Sequence, residues 1–384
     1  MKRALITLGR LPKGLELARA LHSIGYEVII AEPWSWHLSR LSRSVRRSIR
    51  VHSPVADLGR YHADLIQTIK QFEVELVVPV SEEVLSVSAL KNHPHCHARI
   101  FAEPLERLSL LHDKLAFQQR VAELGLPHPV TLDARTPEAR VFIEQSPAIA
   151  KPRLSSAGNG LRRLSRGDLD SLPADGEPLL MQQMLPGAEL SSFSIAHDGR
   201  IIGTVVYRGL IVSGTVSVCF ERVVEPPAEI ERWISTFVSG IRHSGFISFD
   251  FRQDEHGQYL PMECNPRTTS GVHFVQPESL GSAINDPANA DALLMRPELR
   301  LQMFYPSLTE TQATALRGGD WRPLKKALFS CRDSTWQRSD PLPFALLPLT
   351  SWEILYRTVF QGQSFGEATT ADIGWYEHLA PSDR

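Results

Sequence analysis

The chain reads Phe246-Ile247-Ser248-Phe249-Asp250-Phe251, then a polar segment over residues 252–258 containing Gly257, then Tyr259-Leu260-Pro261-Met262-Glu263-Cys264-Asn265-Pro266-Arg267. Both apolar runs predict strands, and the segment between them predicts the turn of a hairpin. Side chains alternate faces along a strand, so Ser248 and Asp250 share one face of the first and Glu263 and Asn265 one face of the second. Where those faces coincide, two carboxylates and an amide oxygen meet, because cross-strand neighbours lie roughly 5–8 Å apart. A few hard oxygen donors suit Mg²⁺, which keeps waters and completes its octahedron with phosphate oxygens. Asp250, Glu263 and Asn265 are therefore the expected metal ligands. A hairpin with polar residues on its solvent face is the plain alternative. Pro266-Arg267-Thr268-Thr269-Ser270-Gly271 argues against it, because a cation and three hydroxyls follow the ligands at once.

Two upstream segments carry related chemistry. Ala148-Ile149-Ala150-Lys151-Pro152 predicts a buried strand with a lysine near its end, followed by Ser155-Ser156-Ala157-Gly158-Asn159-Gly160. A small glycine-bearing loop lets backbone N–H groups close over phosphate oxygens, and a lysine supplies a point charge. Ser156 and Gly158 are the expected loop contacts. The lysine precedes the glycines, so this is not a Walker A loop. Further on, Leu179-Leu180-Met181-Gln182-Gln183-Met184-Leu185 runs into Pro186-Gly187-Ala188-Glu189. A strand ending in such a turn offers backbone groups to an adenine edge and a glutamate to ribose hydroxyls; alone, it reads equally as an edge strand with a turn.

In this order the pieces resemble the ATP-grasp superfamily. The matching signs are Asp113-Lys114, Lys151 before its small-residue loop, the Gln183 to Glu189 stretch, Asp250, and Glu263-x-Asn265-Pro266-Arg267. The resemblance covers residues 103–274. It implies an α/β chain (α+β within the grasp) with a parallel-sheet domain over 1–102, a two-lobed grasp domain over 103–285 and a C-terminal extension over 286–384.

It also implies ATP and one or two Mg²⁺ ions, with Mn²⁺ as a substitute, and an acyl phosphate formed from a carboxylate and captured by an amine. Carried over, Lys114 and Lys151 contact phosphates, Gln183, Met184 and Leu185 meet adenine, Glu189 the ribose, and Arg267 steadies the transferring phosphoryl group. Lys151 and Arg267 are thus the expected catalytic groups. Gln182-Gln183 departs from the pattern, since many relatives carry an acidic residue there. Phosphoryl transfer asks mainly for positioning and charge neutralisation, so no protein nucleophile is needed. A small-molecule kinase and a non-catalytic nucleotide-binding relative are the competing readings.

Composition sets the outer bounds. With 384 residues, 42% hydrophobic and 22% charged, the chain has ordinary globular usage. Its 41 basic and 43 acidic side chains leave net charge −2, so no overall field recruits nucleic acid or a membrane. The four cysteines form no CxxC pair, which fits a reducing compartment, and no export segment is evident, so a cytoplasmic location is expected. Small-molecule acid and amine substrates are the expected partners, with a homodimer compatible.

Ala4-Leu5-Ile6-Thr7-Leu8, Val28-Ile29-Ile30-Ala31 and Leu76-Val77-Val78-Pro79-Val80 predict buried parallel strands alternating with helices, one near residues 58–71. The first turn, Gly9 to Gly14, lacks the GxGxxG spacing of a dinucleotide site. Residues past about 285 look irregular and proline-rich. Arg208, alone among apolar strands, needs an anionic partner, either a substrate carboxylate or an internal glutamate. Thr268, Ser270 and His273 follow the metal strand and are further substrate candidates. The His93 to His97 cluster and the Arg43, Arg46, Arg47, Arg50 run read as polar surface loops.

Overall fold

The computed structural model describes residues 2–154, 160–165, 168, 179–213, 216–363 and 365–374. The chain opens with β1 (Arg3–Ile6), α1 (Pro12–Ser23), β2 (Glu27–Glu32), β3 (Arg47–Arg50), α2 (Leu58–Gln71), β4 (Leu76–Val78), α3 (Val84–Ser88) and β5 (Arg99–Ile100). These strands form a five-stranded sheet in the order β3-β2-β1-β4-β5, every pair parallel. Strand alternation divides its faces: Ala4, Ile6 and Val28 pack with Leu17 and Leu21 of α1, whereas Leu5, Ile29 and Val77 pack with Tyr61, Leu65 and Ile69 of α2. Gly25 at φ +90° turns the chain after α1, a conformation that costs glycine little. Arg47 and Arg50, expected in a solvated loop, instead lie on β3, where charged side chains protect an edge strand from unwanted pairing.

The middle of the chain builds two antiparallel sheets. After α4 (Leu105–His112) and α5 (Lys114–Glu123) come β6 (Thr131–Asp133), α6 (Pro137–Gln145), β7 (Ala148–Pro152), β8 (Arg162–Leu164) and β9 (Leu179–Gln183). They form a small sheet ordered β6-β9-β7-β8 with Ala139 and Ile143 of α6 in its core. Asp113 caps α5, its carboxylate accepting from the Leu115 and Ala116 N–H groups. The large sheet takes β10 (Glu189–His197), β11 (Arg200–Ser213), β12 (Val216–Arg222), β13 (Gly245–Gln253) and β14 (Tyr259–Asn265), with α7 (Ala228–Gly240) between β12 and β13. Phe117 of α5 and Trp233 and Phe237 of α7 meet Phe249 and Phe251 in one aromatic cluster on a single face of this sheet. Ser248 and Asp250, out of phase with those phenylalanines, are left for the other face.

α8 (Pro277–Asn285) then packs on α1, so closely that a Cβ at Gly281 would sit 2.3 Å from the Ala20 carbonyl oxygen. The remainder contradicts the irregular appendage expected from its prolines. β15 (Arg300–Gln302) pairs with β12 and β16 (Arg332–Asp333) with β15, giving a large sheet ordered β14-β13-β10-β11-β12-β15-β16. Helices α9 (Phe304–Leu316), α10 (Arg322–Ser330), α11 (Leu342–Ala345), α12 (Leu347–Thr350), α13 (Trp352–Phe360) and α14 (Phe365–Thr370) complete the described chain. In α10, α11 and α12 proline occupies the first turn, where its missing N–H breaks no helical bond, so it marks starts and not breaks. Among the described residues no helix is long and apolar enough to cross a membrane.

Candidate active site

β13 and β14 pair antiparallel with Asp250 directly opposite Glu263 and Ser248 opposite Asn265. Asn265 Nδ2 donates to Asp250 Oδ2 at 3.0 Å and to Glu263 Oε1 at 3.3 Å, and Ser191 Oγ donates to Asp250 Oδ1 at 2.6 Å. The three expected metal ligands therefore meet on one face. That face floors a cleft of about 510 Å³ between the two antiparallel sheets, the first turn of α1 and α14.

The pairing slips by one residue after Asp250, because Phe251 pairs with Pro261 and leaves Met262 unmatched. Such a bulge re-aims side chains. Here it lets the consecutive residues Met262 and Glu263 both face the cleft.

The electrostatics follow from crowding. Burial and the Glu263 charge push the Asp250 carboxyl up to about 7. Burial would raise Glu263 too, but Lys114 and Lys151 outweigh it and hold that carboxyl below its usual range. Lys114 Nζ lies 3.8 Å from Glu263 Oε2. Lys151 Nζ donates to Gln182 Oε1 at 2.9 Å and to the Met262 carbonyl at 3.4 Å, and burial pulls its ammonium down to about 8. Glu263 has its cationic neighbours, whereas burial and the facing charge disfavour the Asp250 carboxylate, which a metal ion would offset. Two carboxylates and an amide oxygen are also the hard oxygen ligands that Mg²⁺ takes, so these residues fit that ion.

Arg267 projects from the end of β14. Its Nη2 pairs with Glu82 Oε1 at 2.6 Å and donates to Asn265 Oδ1 at 2.9 Å. Burial opposes charge on Glu82, yet Arg267 and its neighbours keep that carboxyl low.

Other expected residues divide. Lys114, Lys151, Glu189, Ser270 and His273 line the cleft, although His273 is buried and its Nδ1 lies 3.2 Å from Glu16 Oε2. Ser156 and Gly158 lie outside the described residues. Arg208 does not face the cleft; it pairs at 2.5 Å with Glu221, its direct neighbour across β11 and β12, so the internal glutamate is its partner. Thr268 is also corrected: it is fully buried, and its hydroxyl donates to the Val80 carbonyl, tying the end of β14 to the parallel sheet. Gln183, Met184 and Leu185 do not line the cleft; the Gln183 amide oxygen accepts from Val130 N–H at 3.3 Å and Leu185 is buried.

Sequence reasoning missed several cleft residues. Ile149, Leu161 and Met262 add an apolar wall beside Lys151, and alternation along β7 is the one signal that pointed inward for this group. Lys13, Ser81 and Glu82 come from the parallel sheet's loops, and Gly366, Thr369 and Thr370 from α14. No local pattern links them to β14. The first loop is occupied internally: the Gly9 and Arg10 N–H groups donate to Glu32 Oε2 at 2.8 and 3.0 Å, which removes them from any dinucleotide.

No family model matches the sequence, and no curated protein matches it. Solved structures do share its fold. N5-carboxyaminoimidazole synthetase from Staphylococcus aureus, complexed with ADP, aligns over 77% of this chain and 80% of its own at 14% identity and TM-score 0.60. The biotin carboxylase domain of Hydrogenobacter thermophilus 2-oxoglutarate carboxylase, with MgADP, ADP and bicarbonate, aligns over 73% and 69% at 13% identity and TM-score 0.59. Phosphoribosylamine–glycine ligase from Thermotoga maritima aligns over 77% and 78% at 16% identity and TM-score 0.59. These are ATP-grasp enzymes, and this chain has the ATP-grasp fold, with its N-terminal parallel sheet and larger antiparallel sheet.

Proposed function

We propose that the protein is an ATP- and Mg²⁺-dependent ligase that activates a small-molecule carboxylate as an acyl phosphate and passes the acyl group to an amine, releasing ADP and phosphate. The observation that carries this reading is the Asp250–Glu263–Asn265 cluster, set in one cleft with Lys114, Lys151 and Arg267. Complexes of fold relatives with ADP and with MgADP support it.

Lys114 and Lys151 would neutralise phosphate oxygens, and Ile149, Leu161 and Met262 offer an apolar slot for the base. Glu189, at the start of β10, lines the cleft and would meet the ribose hydroxyls. Mg²⁺ held by Asp250, Glu263 and Asn265 would supply charge neutralisation to the phosphate oxygens. Arg267, fixed by Glu82 and Asn265, directs its guanidinium at the charge that develops during transfer; preorganised donors of this kind are worth about 10²–10³ in rate.

The test is ADP release screened against acids and amines in combination. The reading expects ADP only when both are supplied and an acyl hydroxamate when hydroxylamine replaces the amine. AMP and pyrophosphate as products would overturn it.

A further inference from the structure

Cys219 on β12 and Cys331, which joins α10 to β16, are 112 residues apart in sequence, yet the Cys219 thiol donates to Cys331 Sγ at 3.2 Å. Both are buried free thiols in a small apolar cluster with Ile211 and Val218, against which Leu324 and Ala327 of α10 pack. The sheet fixes the pair. Gln302 of β15 stands opposite Cys219, and its amide donates to the Leu328 and Cys331 carbonyls at 2.7 and 2.8 Å. A disulfide bond is about 2.05 Å long, so the two sulfurs need approach by only about 1 Å.

The two thiols are chemically unequal. Accepting the Cys219 S–H, with help from Ser330 and Arg300, draws the Cys331 thiol down to about 7 against the effect of burial. The same bond and burial push Cys219 up. One partner is thus a ready thiolate and the other holds the proton. Cys96 offers no comparable thiolate, since burial pushes its thiol up.

Position gives a bond here a mechanical consequence. β12 brings Val216 and Ser217 to the cleft, and Met303, between β15 and α9, lines it as well. β15 and β16 are only three and two residues long, so few ladder bonds hold α10 to this edge of the large sheet. A covalent link from β12 to Cys331 would span β15 and fasten that edge directly.

We propose that Cys219 and Cys331 form a modification site, a dithiol that a hydroperoxide oxidises reversibly to a disulfide, fastening the C-terminal helices to a strand that borders the cleft. The Cys331 thiolate attacks one peroxide oxygen, the O–O bond breaks, and the departing hydroxide takes a proton from solvent, leaving a sulfenic acid. The Cys219 sulfur then displaces hydroxide from that sulfur, and its own proton leaves with the hydroxide as water. The two sulfurs give up two electrons in all, and one hydrogen peroxide becomes two waters. A small oxidant suits the site, because Cys331 is 8% exposed and Cys219 fully buried.

The test treats the full chain with hydrogen peroxide at about pH 7.5, alkylates it under denaturing conditions and maps its peptides without reduction. A Cys219–Cys331 cross-linked peptide should accumulate about tenfold faster than oxidised Cys96, and dithiothreitol should erase it. No cross-link, oxidation of Cys96 ahead of the pair, or sulfinic acid at Cys331 with Cys219 still free would each overturn the site. The oxidised chain should melt about 5 °C higher than the reduced one, a shift that dithiothreitol cancels and that Cys219→Ala lacks. An unchanged or lower melting temperature would overturn the fastening. Both readouts are taken without turnover, so they stand whether or not the ligase reading holds.

Discussion

Asp250 and Glu263 stand opposite one another across β13 and β14, and the amide of Asn265 donates to both. Each carboxylate makes the other harder to ionise, and the shared amide offsets only part of that repulsion.

Neutralising one partner should separate stability from function. Asp250→Asn removes the repulsion, so the metal-free protein is expected to melt at a higher temperature than the unaltered chain. The added stability that Mg²⁺ brings should vanish, and turnover should fall by about 100-fold or more. Thermal unfolding with and without Mg²⁺ checks the first two outcomes; a lower melting temperature in the metal-free variant would contradict the electrostatic account.

Lys151 sets a proton signature for nucleotide binding. Burial lowers its ammonium to about 8, so above that pH the free protein carries a neutral amine. A phosphate nearby favours the charged form, and ATP binding should take up a proton near pH 8. Affinity should weaken as pH rises through 8 toward 10. Calorimetry in two buffers of different ionisation enthalpy measures the uptake directly, and Lys151→Met should abolish it.

Acid sensitivity has its own source. Burial pulls His112 and His243 down to about 4, below their usual 6.5. Between those values the unfolded chain binds protons that the folded chain refuses, so stability is retained above 6.5 and lost as pH falls toward 4. Each site is expected to contribute on the order of 1–3 kcal/mol to that loss. Denaturant unfolding at pH 7 and pH 5 should show a smaller difference for His243→Gln than for the unaltered chain.

Packing of α8 on α1 leaves no room for a methyl group. Gly281→Ala would place carbon 2.3 Å from a backbone oxygen, which cannot swing away. The expected cost is about 1–3 kcal/mol, read as a lower denaturant midpoint with an unchanged slope.

Local pattern carried much of this structure. Alternation along residues 246–251 and 259–265 placed Asp250, Glu263 and Asn265 together, and the apolar runs at residues 4–8, 28–31 and 76–80 marked the buried parallel strands. What local pattern lacks is the third dimension. Arg208 looked like a lone cation because its partner Glu221 arrives from the next strand, and Thr268 looked like a substrate contact because Val80 lies far away in sequence. Lys13 had no visible role, since Ser81 and Thr268 reach it from separate parts of the chain. The bulge at Met262 depends on how two strands register, which neither strand encodes alone.

The cleft draws a wall from each of the three sheets and another from α14. Dissecting the gene at any of the intervening connections would therefore yield pieces that each lack a side of the chamber. Recovered chemistry would demand reassembly of the pieces, and its concentration dependence would report how tightly the severed parts hold one another.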